Sequence, residues 1–151
     1  MLCRQCEESL AGTGCIKNGV CGKSSELADL QDVLIGRLID ISVESFENIS
    51  DEFISKADSL IADSLFLTLT NTNFDSERIS SAIKDAESLL SGGNRYEFSI
   101  EKLDTDEDLR SLKELLLYGI KGLAAYYHHA VVLGGKDEAV SAFLRKALSS
   151  L

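Results

Sequence analysis

Cys3, Cys6, Cys15 and Cys21 are all the cysteines of this chain, and they follow one another as C-x2-C-x8-C-x5-C. Thiolate sulfur is the donor that iron-sulfur clusters and zinc take, so soft-metal chemistry in this protein is confined to one amino-terminal loop. Gly12, Gly14, Gly19 and Gly22 lie between and after the cysteines. Residues without a Cβ let a backbone wrap closely around a bulky centre and turn its N–H groups towards sulfur. Arg4, Lys17 and Lys23 would offset the charge of four thiolates. Zinc accepts the same ligands, but its structural sites use two C-x2-C pairs joined by a longer arm. Here the second pair is C-x5-C and only eight residues separate the pairs, which suits an iron-sulfur cluster better. Zinc, or a disulfide pair, remains an open alternative at this point.

The rest of the chain must position that loop. It is 151 residues long, 44% hydrophobic and free of proline, and its apolar residues recur every three or four positions. These features predict an all-α protein with long uninterrupted helices. A formal charge of -10 repels phosphate backbones and anionic headgroups, so neither nucleic acid nor a membrane surface is an expected partner. Only Met1 and Leu2 precede Cys3, leaving no room for a secretory leader, and a cytoplasmic protein is expected. In a reducing compartment clustered cysteines serve as metal ligands more often than as disulfides. The most apolar stretch, Leu115 to Leu133, is broken by Lys121, His128 and His129, so it reads as a buried helix and not a bilayer span.

The organisation predicted is a cysteine loop over 1–23, a three-helix bundle over 24–93, and a connector with two helices of an incomplete second bundle over 94–151. Ser24-Ser25-Glu26 precedes a first helix, Glu26 to Glu47, with Leu27, Leu30, Leu34, Leu38 and Ile41 on one face and Arg37, Asp40 and Glu44 opposite. Ser50-Asp51-Glu52 opens a second, to Leu69, with Leu60, Ile61 and Leu65 inward. Asp75 caps a third, to Leu90, before Gly92-Gly93. Tyr96 to Ile100 alternates and reads as a short extended connector. Thr105 with Asp108 forms a capping box for a helix to Leu133, and Lys136-Asp137 begins a last helix that reaches Leu151.

A weak internal repeat links the halves. Leu30, Val33, Leu34, Ile35, Leu38 and Ile41 lie 82 residues before Leu112, Leu115, Leu116, Leu117, Ile120 and Leu123; Leu60, Ile61 and Leu65 lie 83 before Phe143, Leu144 and Leu148. Nothing in the second half matches the third helix. Its apolar groove must therefore be covered by the first bundle, a second copy or another polypeptide.

Three stretches resemble the amino terminus of the hybrid-cluster protein, or hydroxylamine reductase, family. They are Cys3-Arg4-Gln5-Cys6-Glu7 with the glycines and cysteines to Lys23 and then Leu30 to Ile35; Thr68 to Asp75; and Leu117 to Tyr126. The resemblance implies that Cys3, Cys6, Cys15 and Cys21 hold a [4Fe-4S] cluster, with [2Fe-2S] in members whose cysteines are more widely spaced. It also implies an amino-terminal domain of two three-helix bundles, of which this chain stops one helix short. The family's catalytic hybrid cluster resides in later domains, which this chain does not contain. The expected function is thus an iron-sulfur electron-transfer module that does not itself reduce hydroxylamine. Its partner would be a redox protein or the missing catalytic domains. The alternative is a helical docking module with a structural zinc or redox-silent cluster, associating through the open groove with a partner or with another copy.

The remaining polar residues have plainer explanations. His128 and His129 point about 100° apart and suit a helix carboxyl end. Tyr118, Tyr126 and Tyr127 read as packing residues with wet hydroxyls. Asp51-Glu52 and Asp104 to Asp108 read as helix starts. Asn71, Asn73 and Phe74 read as a turn and cap, although the resemblance puts that stretch near the cluster loop.

Overall fold

The computed structural model describes residues 1–69 and 73–151. Five helices follow the cysteine loop: α1 (Ser25–Glu44), α2 (Asp51–Leu67), α3 (Ser76–Leu89), α4 (Glu107–Val132) and α5 (Glu138–Ser149). The all-α class is as expected, and among the described residues there is no strand. Asn71 lies outside those residues.

Each helix begins where a side-chain oxygen takes backbone donors that the helix itself leaves unpaired. Ser24 Oγ accepts from Leu27 N at 3.2 Å, and Asp75 from Glu77 N and Arg78 N at 2.9 and 3.1 Å. Ser50 and Asp137 do the same for α2 and α5. One start differs from expectation. Asp106, not Thr105, caps α4, accepting from Asp108 N at 2.9 Å and Leu109 N at 3.0 Å. A carboxylate brings a full negative charge to the positive helix end, which a hydroxyl cannot. Helix ends fall short of the predicted Glu47, Leu69 and Leu151, since α1, α2 and α5 stop at Glu44, Leu67 and Ser149.

The polar face of α1 is not left to solvent. Arg37 donates to Glu87 on α3 at 3.3 Å and to the Tyr96 carbonyl at 3.4 Å, while the Asp40 carboxylate accepts from Tyr96 N at 3.1 Å. The extended segment Tyr96–Ser99 is thereby tied along α1, and Phe98 and Ile100 turn into the core. Gly36 permits the close approach, because a Cβ there would lie 2.6 Å from the Tyr96 carbonyl oxygen.

One hydrophobic cluster runs through all five helices. Leu34, Leu38 and Ile41 of α1, Ile61 and Leu65 of α2, Ile79 of α3, Leu117 and Ile120 of α4, and Leu144 and Leu148 of α5 are almost wholly buried in it. Each such side chain contributes about 1.5–3 kcal/mol by leaving water. The two halves engage reciprocally: α1 packs on α5, and α2 on α4. Repeat-related residues share their fate, with Ile35 and Leu117, Leu38 and Ile120, Ile61 and Leu144, and Leu65 and Leu148 buried as pairs. The first bundle thus covers the inner faces of α4 and α5. An outer stripe of α4 stays bare, with Leu112 61%, Leu115 67% and Tyr126 83% exposed and nothing packed over Gly119 and Gly122. No helix among the described residues is long and apolar enough to cross a membrane.

Candidate metal centre

Backbone pairing shapes the loop. Cys3 and Cys15 exchange hydrogen bonds, N to O at 3.0 Å and 2.9 Å, as an isolated antiparallel bridge. Gly14 makes this possible: its φ is +67°, and a Cβ on it would lie 2.4 Å from the Cys3 carbonyl oxygen. Cys6 is held by a separate turn, where Ser9 donates from N at 3.0 Å and from Oγ at 2.8 Å to its carbonyl. A third turn carries Cys21, closed by Gly19 N donating to Lys23 O at 2.7 Å. Cys3, Cys6 and Cys15 are half-buried and Cys21 is exposed; none is disulfide-bonded. The bridge therefore joins the Cys3 and Cys15 segments, while Cys6 and Cys21 sit on their own turns. Among the described residues no three Cys, His, Asp or Glu side chains are gathered at metal-binding spacing.

Beneath the loop, α1 and α4 present a buried polar patch. Arg4 Nη1 donates to Glu114 Oε1 at 3.0 Å. Lys23 Nζ donates to Gln31 Oε1 at 2.8 Å, and Lys121 Nζ to the Thr68 carbonyl at 3.4 Å. Both lysines are 3% exposed. Burial, reinforced by the charge of Lys23, lowers the Lys121 pKa to about 8, against the pull of Asp32 and Cys3. Burial also raises Asp32 to about 6, although Lys121 and Lys23 hold it down. Tyr118 is pushed upward by burial and by Glu114 and Cys3.

Lys17 is exposed, so only two of the three expected basic residues, Arg4 and Lys23, reach inward. Arg4 Nε, Gln31 Nε2 and Tyr118 Oη are buried without a partner. Unpaired buried donors are costly, and these three lie in the loop and on the two helices that Arg4 and Lys23 bond to, a setting that fits an anionic, thiolate-ligated group able to accept hydrogen bonds. The donor set and its surroundings thus fit a cluster.

Asp32 provides a pH signature. Its folded pKa lies above the ordinary 3.8, so the folded state binds that proton more tightly. The cost to stability is absent below about pH 3.8, grows as pH rises towards 6, and is complete above it. Asp32→Asn in the metal-free chain is expected to raise the unfolding free energy by about 3 kcal/mol at pH 7 and to leave it unchanged near pH 3. Urea titrations at the two pH values measure this.

Other residues resolve individually. His128 Nδ1 pairs with Asp63 Oδ1 at 2.7 Å across to α2, and His129 Nδ1 donates to the Ala125 carbonyl at 2.7 Å, so neither serves the cysteine loop. Of Tyr118, Tyr126 and Tyr127, only Tyr126 is exposed. Tyr127 Oη shares a 2.9 Å hydrogen bond with Ser141 Oγ, and Tyr118 Oη is the orphan described above. Asn73 Oδ1 accepts from Asp75 N at 2.9 Å, the plain turn role. Sequence reasoning missed the patch of Glu114, Tyr118, Lys121, Gln31 and Asp32. A signal existed: Glu114 and Lys121 stand seven residues apart on the face that also carries Leu117 and Ala124, where a charge needs a reason.

The fold and loop together define a helical protein that carries a four-cysteine loop above a buried basic patch. More particularly, the chain belongs to the Prismane/CO dehydrogenase family, whose profile matches residues 1–151. Proteins described as hydroxylamine reductase are similar to it. That of Methanococcus vannielii is 42% identical over 98% of this chain and 33% of its own length. Those of Bacteroides thetaiotaomicron and Chlorobaculum tepidum are 42% and 43% identical over 100% of this chain and 32% of their own. The chain therefore spans about a third of the curated relatives it matches. The Bacteroides alignment runs over 177 positions against 151 residues here, so that relative carries about 26 further residues within the matched region.

Proposed function

We propose that this chain is an iron-sulfur electron-transfer module, in which Cys3, Cys6, Cys15 and Cys21 hold a [4Fe-4S] cluster. The observation that carries the reading is the set of unpaired buried donors, Arg4 Nε in the loop, and Gln31 Nε2 and Tyr118 Oη on the two helices to which Lys23 and Arg4 bond. When bound, the cluster supplies reversible one-electron chemistry. The chain's own residues bind it, offset its negative charge through Lys23 and Lys121, and keep water from its inner side through Leu2 and α4. Hydroxylamine reduction, the activity named for the relatives, requires a centre this chain's cysteines cannot build, since all four serve the loop. The partner is a redox protein or the catalytic remainder that the longer relatives possess, in a reducing compartment, the cytoplasm.

Anaerobic purification tests this. A brown protein with about four irons and four sulfides per chain and an EPR signal on reduction supports it. A colourless chain holding one zinc overturns it in favour of a second reading, a docking module with a structural metal. The bare α4 stripe favours that second reading. Leu112, Leu115, Gly119, Gly122, Tyr126 and His129 are arranged symmetrically about residues 120–121, so an antiparallel second copy would set Leu115 against Tyr126 and the acidic first turn of α4 near the partner's last turn. Sedimentation equilibrium of the same sample reads the dimer or its absence.

A further inference from the structure

Among the described residues Lys121 and Lys23 are the buried lysines, and neither forms an ion pair with a carboxylate there. Lys121 sits in the middle of α4, at a position whose neighbours on the same face, Leu117 and Ala124, belong to the core. Its ammonium can donate three hydrogen bonds, yet it makes one among the described residues, a long one of 3.4 Å to the Thr68 carbonyl. A buried ammonium held so weakly is expensive unless an anion compensates it. Asp32 is close enough to feel both lysines, but among the described residues Lys23 donates to Gln31 and Lys121 to the Thr68 carbonyl. Arg4, the neighbour of Cys3, donates to Glu114 of α4 at 3.0 Å, one turn before Tyr118 and two before Lys121, and among the described residues the buried Tyr118 hydroxyl has no hydrogen-bond partner. Helix α4 therefore carries a buried ammonium without an ion-pair partner and an unused O–H on the side that Arg4 ties to the segment of the first cysteine.

We infer that Lys121 and Tyr118 set the reduction potential of a cluster held in the cysteine loop, by placing a buried charge and a hydrogen-bond donor against its inner side. This rests on the iron-sulfur reading above. Four thiolates around a [4Fe-4S] centre make the site a dianion when oxidised. One electron from an external reductant makes it a trianion; no bond forms or breaks, and the reductant is oxidised by one electron. A fixed positive charge and an O–H donor both stabilise the more negative state, so they raise the potential. These are positioning residues, and neither is a ligand. In the absence of a cluster, burial first and the charge of Lys23 second lower the proton affinity of Lys121.

The test uses the full 151-residue chain, loaded anaerobically with iron and sulfide, together with Lys121→Met, Lys121→Arg and Tyr118→Phe. Iron and sulfide content is measured first, and the midpoint is then read by potentiometric titration followed by EPR. Lys121→Met is expected to keep its cluster and shift the midpoint to more negative values by about 59 mV, a tenfold loss in preference for the reduced form. Tyr118→Phe shifts it the same way by less, and Lys121→Arg restores the original value. A merely structural role for Lys121 would lower the melting temperature and leave the midpoint in place. Loaded Lys121→Met with an unchanged or more positive midpoint overturns the inference. Where Lys121→Met does not load, Tyr118→Phe decides, and an unchanged midpoint there overturns it equally. If the unsubstituted chain takes up no iron and sulfide, the electron-transfer reading itself falls, before any variant is compared.

Discussion

Cys15→Ser is expected to leave this protein folded and nearly free of iron. Anaerobic reconstitution should load the unsubstituted chain with about four irons and the variant with less than about one. The reasoning separates sulfur from scaffold. The bridge between Cys3 and Cys15 is made by backbone N–H and C=O groups, so a serine retains it. The core consists of Leu, Ile, Ala and Phe side chains and Tyr127, from α1 to α5 and their connector, and Cys15 is not among them. Far-UV circular dichroism should therefore be unchanged while the visible absorption disappears. Gly14→Val should lose the iron by the opposite route. All four sulfurs remain, but a side chain at φ +67° with a Cβ 2.4 Å from the Cys3 carbonyl oxygen forces the bridge apart. A Cys15→Ser variant that still binds four irons would remove Cys15 from the ligand set.

The second large effect lies in the core. Leu148→Ala, near the end of α5, is expected to cost about 2–5 kcal/mol of unfolding free energy, because the side chain is fully buried and its neighbours belong to several helices. The form of the transition matters as much as its position. Since α5 packs on α1 and α2 as well as on α4, the variant should unfold in a single step at lower urea, with helix content and tyrosine fluorescence changing together. If residues 94–151 unfolded as an independent unit, two steps would appear and Leu148→Ala would move only one. That outcome would mean that the reciprocal packing of the halves contributes little.

Much of this protein could be read from its residues in order. Helical periodicity marked all five helices, and Ser24, Ser50, Asp75 and Asp137 marked four of their starts, because a cap acts on backbone groups two or three residues away. The cysteine spacing singled out the loop for a similar reason: ligands within one short segment are a local property. The α4 cap was misplaced by one residue because Thr105 and Asp106 both satisfy the local rule, and only the turn made by Asp104 accepting from Asp106 N at 3.1 Å selects between them.

The sequence by itself determined which residues could ligate a metal, which segments would be helical, and that the halves share a pattern. Tertiary structure alone decided what lies beneath the loop. Arg4 meets Glu114 across 110 positions and Lys121 meets Thr68 across 53, and such pairings follow from how the loop and α2 lie against α4, not from any spacing along the chain. It also decided how the half-bundle is covered, since whether a helix face meets the first bundle or open solvent depends on packing angles that period and composition do not encode. Charge and burial are properties of a place in three dimensions, so the buried polar patch became visible only when α1, α4 and the loop were brought together.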